Sequence, residues 1–534
     1  MSIEHMLRRS FVTGTGAGLA ATALGAQTAQ APGHGSSPAP GEFYVTAFGA
    51  RGDGKTLDTA AVNRAIEAAS AAGGGAVTFP SGTYLCYSIH LKSKVTLYLA
   101  RGATILAANP PGAGTAGGYD DAEPNAWDKF QDYGHSHWRN SLIWGEGLND
   151  IGIEGPGLIW GKGLSRGSSS DPGPKAEDPR VGNKAISLKN CRNVTFRDFS
   201  ILQGGHFGIL ATGVDNFTID NLKIDTNRDG IDIDCCRNVR ISNCSVNSPW
   251  DDAICLKSSF GLGYARATDM VTITNCLVSG SFAMGSLLDG TFQPLPAGVS
   301  IPRTGRIKFG TESNGGFKNI TVSNCVFDGC QGLALESVDG AILEDVTVTN
   351  ITMRDISSSP LFLRLGRRMR GPEGVPVGVL RRVLISNISC SNSASRYGSI
   401  ISGIPGHLIE NIKIRDVYIQ HQGGGTAEAA AIRPPEEETG YPDPHRFGDI
   451  PAQFFIRHTR NLEISNIEFE VLKPDLRPVF LLTDVQDASL FRIKAPRISE
   501  RGAFALRDVR NFNITASKPL IGDTQIDRAE DSNL

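Results

Sequence analysis

A phrase that returns about every 22 residues constrains this chain more than any other feature. Asn193-Val-Thr-Phe, Asn216-Phe-Thr-Ile and Asn238-Val-Arg-Ile follow one another at that period. It comes back in Val271-Thr-Ile-Thr, Asn319-Ile-Thr-Val, Asn411-Ile-Lys-Ile, Asn461-Leu-Glu-Ile and Asn511-Phe-Asn-Ile, with longer insertions between copies. Apolar residues alternate within each phrase, the pattern of a half-buried strand, and helical periodicity is absent. Units of this length stack into solenoids. About 22 residues suits three short strands and three turns, one coil of a right-handed parallel β-helix. The recurring Asn suits a bend, where its amide can hydrogen-bond along the stack. The fold class expected is all-β, a parallel β-helix with a short N-terminal helical cap.

A solenoid also explains the length. A chain of 534 residues could hold three or four ordinary domains, but a solenoid grows along one axis. Hydrophobic residues make up 40%, enough for a continuous core, and 62 glycines fit many tight turns. A net charge of −3 argues against a nucleic-acid partner. Ten cysteines raise the question of disulfides, yet Cys244, Cys276 and Cys325 each follow Asn at the end of similar phrases. That phase predicts small buried residues stacked from coil to coil as free thiols. No Cys-x-x-Cys pair or Cys/His spacing reads as a zinc site.

Residues 1–31 read as a twin-arginine-type signal, with Arg8-Arg9 ahead of a weakly apolar run that is too short for a membrane span. Export to the periplasm or beyond is expected, with no membrane partner. Residues 32–41 form a Pro/Gly/Ser linker. Residues 42–108 are the cap and first coils, including a helix after Asp58, expected as its cap, that ends at Gly73-Gly74-Gly75. Residues 109–180 interrupt the pattern as inserted loops carrying Trp127, Tyr133, His135, His137 and Trp138. The β-helix proper is expected over 181–516 and a C-terminal tail over 517–534. A second insertion, around 421–450, is rich in Pro, Gly and Glu.

A second strand aligns across coils in Gly230-Ile-Asp-Ile-Asp234, Ala253-Ile-Cys-Leu-Lys257, Thr304-Gly-Arg-Ile-Lys308, Gly332-Leu-Ala-Leu-Glu336 and Pro360-Leu-Phe-Leu-Arg364. One inward line of Ile233, Leu256, Ile307, Leu335 and Leu363 is expected. Asp232, Asp234, Lys257, Arg306, Lys308, Glu336 and Arg364 would then point outward together. Such a ladder is either the wall of a sugar-binding cleft or a solvated face laced with ion pairs. Asp229 and the Asp251-Asp252 pair fall on neighbouring coils, which stack roughly 4.8 Å apart.

Three ordered motifs here resemble the polygalacturonase-type enzymes of glycoside hydrolase family 28. The family's Asn-Thr-Asp is similar to Asn227-Arg228-Asp229, its Gly-Asp-Asp to Trp250-Asp251-Asp252, and its Arg-Ile-Lys to Arg306-Ile307-Lys308. The likeness runs from about residue 43 to 515. It implies inverting hydrolysis of galacturonate-containing polysaccharide, with Asp251 as general acid and Asp229 and Asp252 holding the water. Inversion asks for carboxyl groups roughly 6.5–9.5 Å apart, and clustered carboxylates cannot all ionise freely. Arg306 and Lys308 are the expected partners of a uronate carboxylate, and Lys257 is a further candidate for binding. No metal or other cofactor is needed, and a monomer is expected.

One motif departs from the family. Its Gly-His-Gly has no counterpart in Ser279-Gly280-Ser281-Phe282, so endo action of the usual kind is not expected. His206, one period before Asp229, is the candidate substitute. With the aromatic insertion as a wall, where Trp127 and Trp138 would stack on a sugar, attack from chain ends is expected on polygalacturonan or rhamnogalacturonan. Two other readings stay open: a lyase using Ca²⁺ on the paired aspartates, and a non-catalytic glycan-binding β-helix.

Overall fold

The computed structural model describes residues 41–112, 115–166, 174–281, 285–293, 300–496 and 502–534. The signal expected at 1–31 and nearly all of the 32–41 linker lie outside these residues.

The chain is an all-β parallel β-helix. Strands separated by one coil pair in parallel, and three lines of strands run along the molecule. The first passes through Ile143–Glu146, Lys184–Lys189, Phe207–Thr212, Asp229–Asp234, Ile254–Ser258 and Ile307–Ser313. A second includes Asn149–Glu154, Arg192–Arg197, Asp215–Asp220 and Arg237–Ser242. A third includes Leu158–Trp160, Ser200–Leu202, Lys223–Asp225 and Ser245–Asn247. Inward residues of all three merge into one core, where Ile209, Ile231, Phe217, Ile219 and Ile224 are fully buried.

The recurring asparagines do what their period predicts. Asn193, Asn216, Asn238 and Asn319 adopt φ of +54 to +56°, a left-handed bend that Asn tolerates better than most side chains. Asn216 Nδ2 donates to Asn193 Oδ1 at 2.9 Å, and Asn238 Nδ2 to Asn216 Oδ1 at 3.3 Å. A second ladder climbs through Asn275 onto Asn243 and through Asn387 onto Asn350. All ten cysteines are free and buried.

Four expectations need correction. The helix Thr59–Ala71 follows Asp58, but the Asp58 carboxylate accepts from the amides of Arg51 and Gly52 and not from the helix. Residues 109–180 are not all loop: Ile143–Glu146, Asn149–Glu154 and Leu158–Trp160 make a regular coil. Residues 517–534 are more than a tail, since Thr524–Asn533 pairs antiparallel with Phe504–Thr515 and covers the last coil.

The fourth correction concerns register on the first face. Leu256 stands opposite Phe309, and Ile307 opposite Ile254. The line therefore runs Ile233, Leu256, Phe309, Leu335, Leu363. This register is two residues from the expected one, and a bulge follows it: Leu256 and Ser258 pair with Phe309 and Ser313, so the later strand carries two extra residues beyond Phe309. An even shift keeps every side chain on its face, which is why Ile307 is buried as expected although its partner differs.

Candidate active site

The outward ladder on this face is neither an open cleft wall nor a solvated surface. Asp232, Asp234, Lys257, Arg306, Lys308, Glu336 and Arg364 are all buried. They point away from the core, but inserted segments cover them. Trp138 packs on Phe207 and Leu210. Its Nε1 donates to Thr212 Oγ1 at 3.0 Å, and its carbonyl accepts from Ser187 Oγ at 2.5 Å. The segment thus sits on the strands that immediately precede Asp229–Asp234. From the other side, the Tyr441 hydroxyl meets Lys308 Nζ at 3.3 Å and Thr311 Oγ1 at 3.0 Å. Arg370 links the cover to the sheet, bonding Asp132 at 2.8 Å and also Glu312.

Beneath these covers the three motif carboxylates converge. Asp229, Asp251 and Asp252 can each bring one oxygen within 4.8 Å of the others. Arg306 Nε lies 2.9 Å from Asp252 Oδ1, and Lys308 Nζ 3.1 Å from Oδ2. Asp251 is the most accessible of the three, and Arg228 pairs with its Oδ2 at 2.9 Å.

Two of these carboxyls titrate in opposite directions. Burial would raise Asp252, but Lys308 and then Arg306 outweigh it and hold the group below the usual carboxylate range. Burial pushes Asp229 well above that range, and the charges of Asp232 and Asp251 add to it. Asp229 Oδ1 has no hydrogen-bond partner among the described residues. The surroundings thus favour the charged form of Asp252 and the protonated form of Asp229.

Lys257 is enclosed, with its ammonium 3.4 Å from Glu312 Oε2 and 3.7 Å from Asp232 Oδ2. That places it under the site as an internal counter-charge, not on a substrate-facing wall. His206 lies one coil before the aspartates, since its neighbour Phe207 stands opposite Asp229. Its ring stacks on Phe207 at 4.4 Å. Burial, then the charge of Arg228, holds it well below the ordinary histidine value, so it is neutral. Trp138 is 1% exposed and cannot stack on a sugar; it buttresses the cover. Trp127 packs with Phe130 and Phe260.

Sequence reasoning missed Glu312, Arg370, Tyr441 and the placement of His135. Glu312 sits in the bulge, beyond the reach of a strict period. Tyr441 and Arg370 come from non-repeating segments. His135, from the first insertion, has Nε2 3.7 Å from Asp232 Oδ2. Among the described residues, three groups could hold a cation, with ligand atoms within 4.8 Å: Asp229 with Asp251 and Asp252, His135 with Asp229 and Asp232, and Asp132 with His135 and Glu312. In the first, Arg306, Lys308 and Arg228 already supply the positive charge.

Comparison with known proteins agrees with this architecture. Residues 43–125 match the family model for rhamnogalacturonase A/epimerase, pectate lyase-like, and residues 177–301 that for the right-handed β-helix region. The exopolygalacturonase of Thermotoga maritima superposes with a TM-score of 0.57 at 17% identity, covering 92% of this chain and 95% of that one. The family 28 exopolygalacturonase of Yersinia enterocolitica gives 0.59 at 18%, covering 90% and 80%. The fold is polygalacturonase-type. In sequence, a probable polygalacturonase of Vitis vinifera is 27% identical over 298 residues, 52% of this chain and 58% of that relative. The match therefore spans a little over half of the relative's length. No helix among the described residues is long and apolar enough to cross a membrane.

Proposed function

We propose that this protein hydrolyses glycosidic bonds in galacturonate-containing pectic polysaccharide, working from chain ends. The observation that carries the reading is the Asp229, Asp251 and Asp252 cluster with Arg306 and Lys308 set against it, on a fold shared with exopolygalacturonases.

In this reading Asp251, the most accessible carboxyl, delivers the proton to the leaving oxygen. Asp252, kept ionised by its two cations, and Asp229 hold the attacking water. The cluster carries its proton collectively. Arg306 and Lys308 set two cations beside Asp252, the kind of partner a uronate carboxylate would use. The close approach of the carboxyl oxygens, within 4.8 Å, pulls against inversion, which usually leaves more room for water. The anomer first released, read by proton NMR, decides the stereochemistry.

The cover supports chain-end action. A groove for a long polymer would run on across neighbouring coils, but Trp138 and its segment occupy that direction. Beyond them a separate cavity of about 780 Å³ is lined by residues including His90, Asp120, Arg139 and Trp144. Incubation with homogalacturonan and rhamnogalacturonan tests the proposal. Saturated monomer or dimer should appear while viscosity stays high. A fast viscosity drop would sink chain-end action, and unsaturated products that need Ca²⁺ would replace hydrolysis by elimination. Export through the leader at 1–31 belongs to the same reading and is checked by sequencing the N-terminus of the exported protein.

A further inference from the structure

His135 enters the covered face from the inserted segment and not from a coil. Its ring is fixed by an edge contact with Phe207 at 4.8 Å. Both ring nitrogens are buried, and neither has a hydrogen-bond partner among the described residues. A buried polar atom left this way is costly, so two on one ring call for a reason. The neighbours supply one. Both oxygens of Asp232 and one of Asp229 are buried and equally unpartnered. The imidazole stands between two carboxylate pairs, Asp229 with Asp232 and Asp132 with Glu312.

Asp232 and Glu312 share Lys257, Glu312 and Asp132 share Arg370, and Arg368, itself paired with Asp339, also faces Glu312. Asp234 is bound by the amide and hydroxyl of Ser259, Asp251 has Arg228, and His206 is neutral. His135 is the ring set against Asp232 and Asp229. A metal ion would meet the Lys257 ammonium 3.7 Å from Asp232 and 3.4 Å from Glu312, where it already supplies the positive charge.

We propose that His135 is a positioning residue of this site: it bridges Asp232 and Asp229 and fixes the Asp229 carboxyl against the water. The proposal rests on the hydrolytic reading above. It also gives the inserted segment a second duty, since the part that closes the sheet face would complete the chemistry beneath it.

Two variants of the full chain test it. His135→Phe keeps a ring against Phe207 and removes both nitrogens; His135→Gln restores a hydrogen-bonding group. On oligogalacturonides, kcat of His135→Phe should fall at least about tenfold with KM within about twofold. The limb of its pH profile set by the carboxyl cluster should move, and His135→Gln should recover part of the loss. An unchanged kcat and pH profile in folded His135→Phe would overturn the proposal. A second arm needs no turnover. In protein labelled with ¹⁵N-histidine, the His135 ring nitrogen shifts should change on Asp232→Asn, as a ring bonded to that carboxylate requires. Ring shifts indifferent to Asp232→Asn overturn the proposal even if the activity variants fold poorly. Should wild type release nothing from any uronide, the hydrolytic reading fails while this arm still decides the role of His135. Activity lost to EDTA and restored by Ca²⁺ would overturn it in favour of a metal.

Discussion

The asparagine edge and the charged face belong to the same coils, yet they treat polar groups in opposite ways. On the edge, each ladder amide finds a partner one coil away, and the exposed Asn216 bonds Asn193, Asn238 and Arg240. On the face, buried oxygens of Asp229, Asp232 and Glu336 have no hydrogen-bond partner among the described residues. Burying an unpaired polar group is costly, and proteins tolerate such groups mainly at functional sites. The contrast teaches where each kind of residue is needed. Edge substitutions should cost stability and spare turnover; face substitutions should do the reverse.

The largest effect expected is at Asp251. Asp251→Asn keeps size and hydrogen bonding but cannot give up a proton in the same way. Turnover should fall at least ~10²-fold, with the unfolding midpoint in urea close to wild type. A folded variant with near-normal turnover would remove Asp251 from the mechanism and leave Asp229, whose burial favours the protonated form, as the acid to examine.

Glu336 carries the comparison into stability. Burial lifts its carboxyl to about 7, against the pull of Lys308 and Arg306. A raised folded value means the folded state keeps a proton that the unfolded chain has lost. Its contribution is therefore intact at pH values below the unfolded carboxyl value and declines as pH rises to about 7. Above that the loss is complete, on the order of 3 kcal/mol at 1.36 kcal/mol per pH unit. Glu336→Gln should flatten this dependence, leaving the variant more stable than wild type at pH 8 relative to pH 4. Parallel stability curves from pH 4 to 8 would contradict the assignment.

Arg306 and Lys308 should show a smaller effect, split between binding and structure. Arg306→Ala or Lys308→Ala should raise KM about ten- to hundredfold on acidic oligosaccharides, since a charged hydrogen bond is worth roughly 1.5–3 kcal/mol. Each also strips a partner from the buried Asp252, so some stability is lost with it. Equal losses on a carboxyl-reduced substrate would show that these cations serve Asp252 alone.

The same division explains what could be read from the sequence. The period exposed the coils, the asparagine bends and the free thiols, because stacking demands the same residue type at each turn. It brought Asp229, Asp251 and Asp252 together for the same reason. What it could not show lay wherever the period breaks. The segment between Ser258 and Ile307 is too long for the period to fix its register, so Lys308 stands two residues from its expected rung, and two extra residues after Phe309 deliver Glu312 to Lys257. His135 and Tyr441 reach the face from insertions whose paths no repeat dictates. Even the coil at 143–160 was legible in retrospect, since Asn149-Asp150-Ile-Gly-Ile carries the alternating phrase. Burial of the ladder was not, because only the covers decide it.

The smallest effect expected is on the edge. Asn216 combines φ of +56° with bonds to three neighbours. Asn216→Ala removes those bonds and leaves a Cβ residue in the left-handed region, where bonds are worth about 1 kcal/mol net and the conformation costs roughly another 1. Asn216→Gly removes the bonds without the strain. The alanine variant should therefore lose about 1–2 kcal/mol and the glycine variant less, both with wild-type kcat and KM. Chemical denaturation of the pair separates the two contributions. Equal stability of both variants with wild type would mean that the ladder marks the coils without holding them. A loss of turnover in either would break the division of labour between edge and face, because Asn216 lies on a different line of strands from the carboxyl cluster.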